Sequence, residues 1–120
     1  MSMGKITTHA LDLLRGKPAA GLKVELWKIE STERRQLIAV AELNEDGRTS
    51  GPLLAGEELD VGIYELQFAV GDYFASSPVA GSSPSLFTIV PIRFFVSDCM
   101  QHYHVPLLAA PGGYSTYRGS

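Results

Sequence analysis

The 120-residue chain carries ten Lys and Arg against thirteen Asp and Glu, a formal charge of -3 scattered along its length, so no basic stripe invites nucleic acid. With 45% hydrophobic and 19% charged residues, it reads neither as a disordered tail nor as a membrane protein, because no uncharged apolar run approaches the ~20 residues of a spanning helix. The length suits one domain, residues 1–120, and the single cysteine, Cys99, excludes an intrachain disulfide or a multi-cysteine metal centre.

Twelve glycines and seven prolines punctuate stretches that alternate apolar and polar with period two, the signature of an all-β chain. Residues 5–13 read as a first strand, with His9 facing opposite to Thr8 and Ala10. The 1–9 segment lacks the apolar core of a signal peptide, so the expected location is the cytoplasm. Residues 22–27 place Leu22, Val24 and Leu26 on one face and Lys23, Glu25 and Trp27 on the other. Residues 36–43 form a weaker strand. Residues 63–70 point Tyr64, Leu66, Phe68 and Val70 inward and Glu65 and Gln67 outward, and a short helix is expected over 70–76.

Residues 87–96 are nearly continuous in apolar types, and Pro91 marks an edge or a bulge because proline cannot donate to a ladder. Strands over 101–108 and 114–117 complete a set of seven or eight, which suggests a sandwich. Residues 76–85 and 109–113, rich in Gly, Pro, Ser and Ala, read as loops.

The chemistry-bearing candidates are few. His102 and His104 flank Tyr103 on one strand and share a face, while Tyr103, Val105 and Leu107 share the other. Solvated surface histidines are the plain reading of that pattern, as they are for His9. Arg48 follows an Asp-Gly turn signal, and a loop-tip arginine is its plain reading. The 114–120 stretch ends in aromatic, cationic and hydroxyl groups rather than in a frayed polar tail.

Four segments change this balance: Thr8-His9-Ala10-Leu11-Asp12, Gly47-Arg48-Thr49, Tyr103-His104-Val105-Pro106-Leu107-Leu108 and Tyr117-Arg118-Gly119-Ser120. Together with Gly62-Ile63-Tyr64 and Pro91-Ile92-Arg93-Phe94, they resemble the transthyretin-related 5-hydroxyisourate hydrolase family over the whole chain. The resemblance implies a transthyretin-like (prealbumin-like) two-sheet β-sandwich with one short helix, assembled as a homotetramer, a dimer of dimers, with active sites between dimers. It implies hydrolysis of 5-hydroxyisourate to 2-oxo-4-hydroxy-4-carboxy-5-ureidoimidazoline in purine degradation, without metal or other cofactor.

By the same resemblance His9, Arg48, His104 and Ser120 match catalytic positions, and His9, Arg48, Tyr117, Arg118 and Gly119 match substrate-binding ones. His102 is peripheral. Ala109, Ala110 and Gly112 depart from the family's usual residues after the histidine strand, which bears on the shape of the channel mouth. In the implied mechanism His104 or His9 deprotonates water for attack on a ring carbonyl. Arg48 steadies the developing oxyanion with its planar fork, and Tyr117 holds the substrate.

Two other readings compete. A transthyretin-type carrier would hold an apolar aromatic ligand in the same channel without turnover. A three-imidazole zinc site would need His9, His102 and His104 to converge.

Overall fold

The computed structural model describes residues 3–77 and 84–120. Its strands are β1 (Lys5–Asp12), β2 (Lys17–Pro18), β3 (Lys23–Ile29), β4 (Arg35–Glu42), β5 (Leu54–Ala55), β6 (Gly62–Phe68), β7 (Val90–Val96), β8 (His102–Ala110) and β9 (Gly113–Thr116). A 3₁₀ turn at Gly56–Glu58 follows β5, and the helix α1 (Val70–Ala75) follows β6. The first sheet has the order β2-β1-β8-β9, with β5 pairing the start of β1; the second has the order β4-β3-β6-β7.

Alternation along the strands builds one core between the sheets. Ile6, Thr8, Ala10 and Asp12 of β1 are buried while Lys5, Thr7 and His9 face out. Tyr103, Val105 and Leu107 of β8 pack inward, opposite Val24 and Leu26 of β3 and Tyr64, Leu66 and Phe68 of β6. Burying one such Leu or Phe stabilises the fold by about 1.5–3 kcal/mol, so truncating a single one removes a large part of a small domain's net stability.

Two pairings position the site. The β1–β8 pair is parallel, running from Lys5 opposite His102 to Asp12 opposite Ala109. It is a non-local contact that sets the outward residues of both strands side by side. The far end of β1 is anchored by Asp12, whose carboxylate accepts from the Tyr73 hydroxyl of α1 at 2.6 Å and from the Arg15 amide at 3.0 Å. Burial, followed by that carboxylate, pushes the Tyr73 hydroxyl up to about 12.

The expected strands form, with shifted ends and two additions. The two-residue strands β2 and β5 carry no alternation and were not anticipated. The apolar run expected to be strand from residue 87 enters β7 only at Val90. Before that point Phe87 packs edge-on against Tyr114 at 5.4 Å and the Leu86 amide bonds to the Pro111 carbonyl, so loop packing claims these residues. β7 is an edge strand, as Pro91 requires. The loop expected at 109–113 shrinks to a two-residue turn, because β8 continues through Ala110 and pairs it with Gly113. Most of the loop expected at 76–85 lies outside the described residues.

Candidate active site

Three walls meet on the outer face of the first sheet. β1 supplies the first, since strand alternation turns Lys5, Thr7 and His9 to the same side. β8 supplies the second through His102 and His104. Because the strands run parallel with Thr7 opposite His104, the Thr7 hydroxyl and His104 Nδ1 share a hydrogen bond of 2.8 Å.

Arg48 reaches this face through the turn at residues 44–48. The Asn44 side-chain oxygen accepts from the Asp46 amide at 2.9 Å and the Arg48 amide at 3.2 Å, while the Gly47 amide closes onto the Asn44 carbonyl at 2.9 Å. Gly47 has φ +72°, and a Cβ there would collide with the Ala10 carbonyl, so only glycine permits the approach. The Ala10 amide donates to the Gly47 carbonyl at 2.9 Å, and a β-bridge sets Arg48 beside His9.

The carboxy-terminal residues make the third wall. β9 leaves β8 after Thr116, and pairing resumes where the Gly119 amide donates to the His104 carbonyl at 2.8 Å. The result is an open concavity of about 690 Å³, walled by His9, Arg48 and His104 with Lys5 and Thr7 beside them and the 117–120 tail across one side. Every candidate site residue read from the sequence comes to this one place, although Arg118 turns its guanidinium toward Gln101 and the His102 carbonyl. His102 lies exposed at the rim.

The electrostatics favour neutral imidazoles. Partial burial, and then the Arg48 charge, hold His9 below the ordinary histidine value of 6.5, and the nearby Asp46 backbone and carboxylate offset this in part. His104 is lowered by burial, by Arg48 and by His9, in that order. Neither Lys5 nor Arg48 forms an ion pair with a carboxylate among the described residues. The site therefore offers two lone-pair-bearing rings and two free cations around one polar hollow.

The three-histidine zinc arrangement is not formed: among the described residues no three His, Cys, Asp or Glu side chains converge to hold a metal. Cys99 sits in the turn before β8, outside the concavity, where its carbonyl accepts from the Gly4 amide at 3.0 Å. Sequence reasoning missed Lys5 and Thr7. Their signal was the i, i+2, i+4 spacing with His9, which places all three on one strand face.

A two-sheet β-sandwich with a histidine- and arginine-lined hollow on one outer face defines a transthyretin-like fold that carries a polar surface site. The HIUase/Transthyretin family model matches residues 6–119, and the chain belongs to that family. The 5-hydroxyisourate hydrolase of Halalkalibacterium halodurans is 50% identical over 117 residues, spanning 98% of each chain. The solved structure of Klebsiella pneumoniae 5-hydroxyisourate hydrolase superimposes with a TM-score of 0.79 at 35% identity over 100% of both chains. The crystal structure of (S)-allantoin synthase gives a TM-score of 0.90 at 40% identity, covering 99% of this chain and 44% of that longer one.

Proposed function

We propose that this protein hydrolyses 5-hydroxyisourate, with water activated by a neutral histidine. The observation that carries the reading is the convergence of His9, Arg48, His104 and the 117–120 tail on one hollow, in a chain 50% identical to a curated hydrolase of that substrate. A planar, carbonyl-rich heterocycle needs donors for its oxygens and a base for its attacking water, and these side chains supply both.

His9 is the better placed base. The β-bridge sets it beside Arg48 at the hollow, and its pKa, held below the ordinary value, keeps a ring lone pair free to take a proton. His104 shares its Nδ1 with a hydroxyl that either donates or accepts, and its ring orients the substrate or the water. Water deprotonated by His9 attacks the ring carbonyl. Arg48 stabilises the oxygen that becomes negative, and collapse of the tetrahedral adduct breaks the ring C–N bond, with the imidazolium returning its proton to the leaving nitrogen. Ser120 contributes a hydroxyl at the rim, and Tyr117 a ring beside the substrate.

The proposed assembly is a homotetramer, a dimer of dimers. Its support is that β7 and β9 are edge strands of the two sheets and that an apolar cleft lined by Ile92, Phe94, Phe95 and Val105 opens nearby. Light scattering tests it, and a fully active monomer contradicts it.

The reaction itself is tested by following the ultraviolet absorbance of freshly generated 5-hydroxyisourate with and without the protein, spontaneous decay setting the baseline. Acceleration proportional to protein concentration is expected. Unaltered decay with a bound ligand would favour the carrier reading.

A further inference from the structure

The tail that closes the hollow is held by very few main-chain bonds. β9 pairs with β8 from Gly113 opposite Ala110 to Thr116 opposite Leu107, and the same register is resumed at Gly119 opposite His104. Pro106 lies in the gap. Its carbonyl faces the tail and accepts from the Thr116 hydroxyl at 2.7 Å, but proline has no amide hydrogen to return. The ladder is therefore short of a donor where the tail must stay in place.

Arg118 bridges that weakness. Its Nη2 donates to the His102 carbonyl at 3.0 Å and to Gln101 Oε1 at 3.1 Å, and its guanidinium lies 4.6 Å from the centre of the Tyr103 ring. These acceptors belong to a fixed platform. The buried Tyr103 hydroxyl donates to the Asp98 carbonyl and accepts from the Asp98 amide, while the Gln101 amide nitrogen donates to the Asp98 carboxylate. The Gln101 oxygen is thus turned toward the arginine. One side chain caps a carbonyl, an amide and an aromatic face, which suits a planar fork and not an ammonium point charge.

The next residue shows what the clamp secures. A Cβ at Gly119 would stand 2.5 Å from His104 Cδ2, so the tail backbone lies directly against the imidazole. We propose that Arg118 is a positioning residue: it clamps the carboxy-terminal tail to the start of β8, so that Gly119 braces the His104 ring and Ser120 stands at the hollow.

The test uses the full-length protein in its native assembly and compares Arg118→Gln and Arg118→Lys with the parent. Without substrate, both variants are expected to speed amide exchange at Gly119 about tenfold, as loss of charge-assisted bonds to a local closure predicts. On 5-hydroxyisourate, kcat is expected to fall about tenfold while KM stays within about twofold, because a misplaced site loses transition-state contacts more than ground-state binding. Gln101→Ala, which removes an acceptor outside the hollow, should shift Gly119 exchange in the same direction and add little to Arg118→Gln.

Unchanged Gly119 exchange with a raised KM would overturn the proposal and make Arg118 a substrate ligand. Faster exchange with unaltered kcat would overturn it as well, since the tail position would then have no consequence. The activity arm rests on the hydrolase reading and the exchange arm does not: a parent protein with no turnover contradicts that reading alone, and Gly119 exchange still decides the clamp.

Discussion

Both sheets carry polar groups on their outer faces, the second beside exposed Leu37, Val40 and Phe95, yet they spend those groups differently. On the second sheet the groups satisfy one another: Arg93 Nε donates to Glu65 at 3.0 Å, Gln67 donates to the same carboxylate at 2.8 Å, and Trp27 donates to Glu25 at 3.0 Å. On the first sheet Lys5 and Arg48 have no carboxylate partner among the described residues, and the two histidines face a hollow. Polar alternation alone does not separate a solvated face from a site. The separation lies in whether the donors and acceptors are consumed by their neighbours.

The largest expected effect comes from the imidazoles. His9→Asn keeps a hydrogen-bonding side chain but cannot accept a proton near neutrality, and is expected to lower kcat by about 100- to 10,000-fold, the usual span of general base catalysis. His104→Asn should cost less if it orients while His9 abstracts. Steady-state kinetics on folded variants checks the order, and a greater loss in His104→Asn would exchange the two roles.

The pH dependence sharpens the same contrast. Both rings are held below 6.5, so activity should stay level as pH falls from 8 to 6.5 and decline only below that. The inflection belongs to the interacting pair. The linkage has the matching sign: the unfolded chain takes up these protons first, so stability should fall as pH drops below 6.5. An acid limb beginning above 7 would contradict the lowered values. Exhaustive chelation should leave the whole profile unchanged, and recovery of lost activity by added zinc would contradict a metal-free site.

The smallest effect belongs to the self-satisfied face. Glu65 is buried, whereas its partner Arg93 is 57% exposed, so solvent screens the pair. Glu65→Gln is expected to cost about 1 kcal/mol in denaturant unfolding and to leave kcat unchanged. A turnover defect there would mean that the second sheet takes part in the chemistry.

Much of this was legible in the chain. Alternation over residues 5–13 and 101–108 assigned the outward histidines correctly, because burial enforces period two on any half-exposed strand. The Asp-Gly signal likewise located the turn that delivers Arg48. The hydrogen bond between Thr7 and His104 was not legible, since it depends on a parallel pairing between residues 97 apart. Nor was the role of Pro106, which weakens a ladder only once β9 is known to lie beside it. The apolar run before Val90 misled for a related reason: Phe87 is consumed by packing on Tyr114, a tertiary contact that outweighs strand propensity.

The most direct test of the contrast pairs the two arginines. Arg48→Lys and Arg93→Lys keep the charge and remove the planar fork, one on each sheet. Both are compared with the parent by initial rates of 5-hydroxyisourate decay. A loss of about 100- to 1,000-fold is expected in Arg48→Lys, the usual effect of removing an oxyanion donor, and the parent rate in Arg93→Lys. Parent rates in both variants, confirmed as folded, would contradict the claim that the first sheet's hollow is where hydrolysis occurs.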